Sequence, residues 1–300
     1  MQAAGSDRQR ALVQAMPWVF VLIWSTGFVV ARFGMPHAPP MSFLALRYAL
    51  SFVCFIAWIV LARVEWPQGG AQWLHLAVVG VFIHAAYLGG VWSSVKSGLG
   101  AGTVALLVGL QPVLTAIWMA LTASSSGHAR VSSRQWFGLG LGLIGLTLVV
   151  WRKLGGGEVT AWNLSLAVFA LIGITVGTLY QKRFVAPCDV RSASAVQLLA
   201  AFVVTAPLAL LETEPIVWHP HMIGAMAWSV LALTLGGSSL LYMLLQRGAA
   251  TRVTSLMYLV PPCTALMAWA LFGESFTPQM LLGMFLTVSG VALVVRAPVR

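Results

Sequence analysis

The amino-acid sequence predicts an all-α integral membrane protein, with ten transmembrane helices in two inverted five-helix repeats. Three observations predict it. Only 8% of the 300 residues are charged and 59% are hydrophobic, whereas a soluble domain carries about 25% charged residues. The apolar residues gather into ten runs, each near the roughly 20 residues that a helix needs to cross a bilayer. Glycine and proline then recur at fixed offsets between the two halves.

The first run, 16–35, follows Arg8 and Arg10 and imitates a secretory leader, but no convincing small-residue cleavage site follows and nine more runs do. It reads as the first helix. The next four are 41–62, 72–95, 100–122, with Pro112 near its middle, and 132–151, entered through the polar loop "TASSSGHARVSSRQ". Residues 1–152 thus form the first repeat. The second, 153–300, holds 159–181, 192–211, 222–246, 253–273, with Pro262 near its middle, and 278–295.

Residues 98–121 slide onto 248–271 at a constant offset of 150, matching Gly98 to Gly248, Leu106 to Leu256, Pro112 to Pro262 and Leu121 to Leu271. The last spans of each half match at an offset of 145, Gly138 with Gly283 and Gly145 with Gly290. Glycine and proline in register are the signature of an internal repeat. Five spans is an odd number, so the second copy enters the bilayer from the other side. Inverted repeats place a substrate site near the midplane of secondary transporters. Proline removes a helical hydrogen bond, so Pro112 and Pro262 are expected to kink equivalent helices and serve as gates.

Net charge is +10, and its placement decides its meaning. Arg8, Arg10, Arg63, Arg130, Arg134, Lys182, Arg183, Arg191, Arg247, Arg252, Arg296 and Arg300 fall on one side, and Arg32, Lys96, Arg152 and Lys153 on the other. That asymmetry predicts both termini in the cytoplasm of a bacterial-type inner membrane. The basic excess fits anionic lipid as a partner and not nucleic acid. Cys54 and Cys263 lie in spans and Cys188 in a loop, so neither a disulfide nor a metal site is implied. No nucleotide or phosphate loop occurs, and no cofactor is expected.

The stretch "LLQRGAATRVTSLMYLVPPCTALMAWALFGESFTPQMLLGMFLTVSGVALVV", 244–295, with Gly248, Pro262, Gly273, Glu274, Gly283 and Gly290, resembles the C-terminal part of EamA-type members of the drug/metabolite transporter superfamily. "FVLIWSTGFVVARFG", 20–34, and "LALRYAL", 44–50, resemble that family's first-half openings. Gln111, where the second half has Pro261, and residues 173–184 depart from the pattern. The resemblance implies export or exchange of small metabolites. The aromatic-rich lining looks like the branch that exports aromatic amino acids.

All seven acids fall in loops, tails or helix ends, which counts against a carrier of drug cations. Within the spans stand His84, one helical turn from Gly80 and from Tyr87, and Arg47, six residues after its span begins. His84 is expected to couple protons or bind a substrate carboxylate, or else to bond neutrally to a neighbouring helix. Arg47 is near enough to an end to snorkel to the interface; binding a substrate carboxylate is the other reading. Trp24 and Phe28 share a face of the first span with Ser25 and Thr26 beside them, Gln111 and Thr115 share one in the fourth, Thr234, Ser238 and Tyr242 one in the eighth, and Thr254 and Tyr258 one in the ninth. Trp18, Trp66, Trp73, Trp136, Trp151 and Trp162, near span ends, read as an interfacial belt.

The expected substrate site therefore comprises Trp24, Phe28, His84, Tyr87, Gln111, Tyr242 and Tyr258, with no catalytic residue. It suits a neutral or zwitterionic small molecule, foremost an amino acid with an apolar or aromatic side chain, exported by alternating access; multidrug or other neutral-metabolite export is the alternative. A monomer is compatible with this architecture, and its oligomeric state is not legible. An intramembrane hydrolase built on Ser238 or Ser239 with His84 is the remote alternative, and it lacks the flanking Gly-x-Ser-x-Gly elbow.

Overall fold

The computed structural model describes residues 2–123, 133–155, 158–237, 239–240, 259–274 and 277–295. Among these residues the chain is helical, without strands. The helices of the first half are α1 (Gln2–Gly34), α2 (Pro40–Ala62), α3 (Gly70–Lys96), α4 (Ala101–Val108), α5 (Gln111–Ala123) and α6 (Ser133–Gly155). Those of the second are α7 (Ala161–Phe184), α8 (Val190–Leu210), α9 (Pro220–Gly236), α10 (Val260–Phe272) and α11 (Pro278–Val295). Five helices are long and apolar enough to cross a membrane outright, and five shorter apolar stretches accompany them, one of which, Ala101–Thr115, runs across α4 and the start of α5.

Helix ends follow local chemistry. Pro40 opens α2, where a missing N–H costs nothing, and the amides of Met41 and Ser42 donate to the Glu212 carboxylate at 2.9 and 2.7 Å. Thr160 and Asn163 close a reciprocal capping box at the start of α7. Gly273 ends α10 at φ +66°, a left-handed turn that favours glycine. The Glu274 carboxylate beyond it accepts from the Ala101 amide at 3.0 Å, capping α4.

Pro112 does not kink a continuous helix as the sequence led us to expect. The fourth span breaks at Gly109 and Leu110, and Pro112 is the second residue of the restarted helix α5. A proline ring excludes the carbonyl four residues earlier, so the chain turns, and Val113 and Leu114 both donate to Leu110 O at 2.9 and 3.2 Å. Pro261 and Pro262 occupy the first turn of α10 in the same way. Gly109 (φ −58°, ψ −14°) and Leu259 (φ −81°, ψ −12°), 150 positions apart, share one conformation.

A second interruption falls in α3 and α9. Val81–Leu88 and Ser229–Gly236 are π-helical turns, the first followed by Gly89 and Gly90 and the second ending at Gly236 with Gly237 next.

Equivalent helices pair across the halves, α2 on α8, α4 on α10 and α6 on α11, while α3 packs on α7 and α1 on α9. In the last of the first three, Gly145 meets Gly283 and Gly138 meets Gly290, so α6 and α11 run antiparallel. The core centres on Trp92, Phe43, Tyr48 and Phe20, with Phe43 stacked on Trp92 at 4.3 Å. The outer wall is apolar, and the six belt tryptophans are all exposed on it, as lipid contact requires.

Candidate substrate site

The polar centre is built where α2, α3, α8 and α9 converge. Arg47, on α2, is only 7% exposed. Its Nε–H and an Nη–H both reach Thr234 Oγ1 on α9, at 3.3 and 3.1 Å. It does not snorkel, and that expectation is corrected: the packing of α9 on α2 covers the guanidinium before it can reach an interface.

The π turns supply the partners. In α9, Thr234 donates to Ser229 O, five residues back, at 2.8 Å, leaving its oxygen facing Arg47. In α3 the wide turn leaves His84 O accessible, and Tyr48 O–H donates to it at 2.7 Å. A π turn shifts the hydrogen-bond register by one residue and so frees a carbonyl. The His84 ring stands edge-on to Tyr48 at 5.9 Å with Gln197 of α8 beside it. Tyr87, one turn along, is buried and within electrostatic reach of Arg47.

Of the residues predicted to line the site, His84 and Tyr87 therefore belong to this cluster. Gln111 donates to Thr178 on α7 at 3.0 Å, and α7 touches the Tyr87 backbone through Gly173. Phe28 is buried, and Trp24 is half-buried against Phe20 at 5.5 Å. That stretch of α1 faces α9, where Trp228 Nε1–H donates to Thr26 at 2.8 Å. Tyr242 and Tyr258 lie outside the described residues, as does Ser238. Ser239 donates its hydroxyl to Leu235 O.

Sequence reasoning missed Thr234 and Tyr48 as partners and mislaid the depth of Arg47. Thr234 is 187 residues from Arg47, and no local pattern links them.

The electrostatics are one-sided. A guanidinium has five N–H donors and cannot shed its charge. Among the described residues its only hydrogen-bond acceptor is one neutral hydroxyl, and no carboxylate pairs with it. A dry cation repels cations and draws an anionic group strongly, because water screens it little. A cleft of about 530 Å³ lies elsewhere, lined by Thr147, Leu148, Trp151 and Gln279 at the edge of α6 and α11. Its exposed Trp151 marks it as a feature of the outer wall.

The signature of the EamA-like transporter family matches this chain twice, over residues 16–151 and 161–296. The uncharacterized inner membrane transporter YedA of Escherichia coli (strain K12) is 26% identical, over 96% of this chain and 92% of its own. A probable amino-acid metabolite efflux pump of Salmonella typhimurium is 25% identical over 90% of each chain. An S-adenosylmethionine/S-adenosylhomocysteine transporter of Chlamydia trachomatis is 24% identical, over 93% of this chain and 87% of its own. One crystal structure superposes with a TM-score of 0.65 at 19% identity, covering 95% of this chain and 97% of that one. It supports the fold.

Proposed function

The chain belongs to the EamA-like transporter family, and from that premise we propose that it exports amino acids or closely related carboxylate metabolites through the seam between its halves. The buried, acid-free Arg47 carries the reading. A substrate carboxylate gives the guanidinium the charged partner that this packing withholds. Tyr87, His84 and Gln111 then offer polar edges, and Trp24 and Phe28 an apolar surface for a side chain. Relatives named for amino-acid metabolites and for S-adenosylmethionine support the same class. Multidrug export is disfavoured, since a central cation repels cationic drugs.

The two halves, divided at 152 and 153, act as inverted repeats. The antiparallel crossing of α6 and α11, with Gly145 on Gly283 and Gly138 on Gly290, supports a two-fold axis between them. Alternating access follows from such symmetry, because whatever opens one end has a counterpart at the other. The termini face the cytoplasm, on the strength of the basic asymmetry.

Proteoliposomes containing only this chain test the reading with labelled amino acids. Wild type takes up at least one carboxylate-bearing substrate, and Arg47→Met abolishes uptake while leaving the melting temperature unchanged or raised, since a buried charge exchanged for an apolar chain of similar volume is often neutral or stabilising. Undiminished uptake by Arg47→Met would sink the assignment.

A further inference from the structure

We infer that His37, His219 and His221 form a binding site for a borderline divalent metal ion such as Zn²⁺, which fastens the two halves together at the end of the molecule opposite the start of α1. This site is separate from the Arg47 cluster, and metal binding there does not rest on the transport reading.

Three of the chain's six histidines gather here. One ligand nitrogen from each lies within 4.8 Å of the other two. His37 sits in the turn between α1 and α2, His219 immediately precedes α9, and His221 is its second residue. The His37 and His219 rings stack at 4.3 Å, and His221 stands against His219 at 4.8 Å. The backbone holds them in place: Val217 N–H donates to His37 O at 2.8 Å, and Phe33 braces His221 at 5.5 Å, with Phe272 behind it at 4.8 Å.

Imidazole is the preferred ligand of zinc, copper and nickel ions. Tetrahedral Zn²⁺ takes ligands at about 2.0–2.1 Å and so needs nitrogens about 3.4 Å apart. From 4.8 Å that is reached by rotating side chains, two of which are exposed. His219 Nδ1 accepts from the His221 amide at 3.2 Å. Coordination through Nε2 would put the proton on Nδ1 and release this cap, a small loss beside three metal–nitrogen bonds. A fourth position is left to water.

Packing alone does not require three histidines. At the opposite end, the start of α3 meets the end of α7 through a single histidine, His75, bonded to Tyr180 O–H at 2.9 Å and stacked on Phe184 at 5.4 Å. Since His37 belongs to the first half and the other two to the second, a shared ion bridges them.

The test uses the untagged full chain in detergent, titrated with Zn²⁺ against a chromophoric chelator. One ion per chain is expected, bound at least about tenfold more weakly after His37→Ala, His219→Ala or His221→Ala and unchanged after His75→Ala. Zn²⁺ should raise the melting temperature of wild type and not of His37→Ala, each compared with its own metal-free value. No stoichiometric binding would overturn the inference. Binding indifferent to His37 would also overturn it, by reducing the site to a local His219/His221 pair. Independently of any variant, electron paramagnetic resonance of Cu²⁺-loaded wild type should show nitrogen couplings from three imidazoles, and fewer would contradict the site.

Discussion

Thr234 gives Arg47 its one hydrogen-bond acceptor among the described residues, and Thr234→Val keeps the shape while removing it. Leaving a buried charged group without that partner costs about 1–3 kcal/mol, so the variant should melt below wild type. A carboxylate substrate replaces the lost acceptor, so saturating substrate should raise the variant's melting temperature more than that of wild type. Equal shifts would mean that the substrate does not meet Arg47. His84 poses a different question, since no carboxylate among the described residues pairs with Arg47 to exchange a proton there. His84→Gln keeps hydrogen-bonding capacity toward Gln197 and removes the ionisable ring. If wild type concentrates substrate under an imposed pH gradient and the variant only equilibrates it, His84 is the coupling group. If neither concentrates it, the carrier is a facilitator; if both do, the proton travels on another group, with Glu274 the first to examine. That His84 and Tyr87 lie together in the polar cluster around Arg47 was legible, because one helical turn and a mid-span position mark them. The depth of Arg47 was not, because six residues into a span is compatible with either an interface or a buried seat until a second helix covers it.

At the scale of the element, the crossing of α6 and α11 depends on bare backbone. A Cβ on Gly145 would strike Gly283 O and lie 2.5 Å from Thr287 Oγ1, and a backbone carbonyl cannot step aside. Gly145→Ala must part the helices at an overpacking cost of about 1–3 kcal/mol, which lowers the melting temperature by roughly 3 °C or more. Gly140, on the same helix, has nothing within 4 Å of a Cβ. Gly140→Ala should therefore be neutral or gain up to about 1 kcal/mol of helix propensity. Thermal unfolding of the pair decides it; equal effects would mean that the crossing is looser than described. These glycines were legible in the sequence through their repeat spacing, because only a bare backbone position is kept in register for close approach. The π turns of α3 and α9 were not, since their hydropathy is that of any apolar helix. Their widened register is stabilised by a hydroxyl on another helix, Tyr48 O–H, and by the Thr234 bond to Ser229.

For the whole molecule, the basic asymmetry predicts that residue 127 faces the cytoplasm. In a background lacking Cys54, Cys188 and Cys263, Gly127→Cys should resist an impermeant thiol reagent in intact cells and react once the membrane is opened; labelling from outside would reverse the topology. Span number and the duplication are properties of local composition and register, and the sequence by itself determined them. A run of apolar residues must leave water whatever its neighbours are, and glycine and proline keep their backbone consequences in any setting. Only the tertiary structure decided that the fourth span breaks into α4 and α5, that Arg47 is sealed against Thr234, and that His37 meets His219 and His221. Those outcomes join residues up to 187 positions apart. They depend on which helices pack together, and hydropathy cannot rank the partners of one apolar helix among nine others because each offers nearly the same surface.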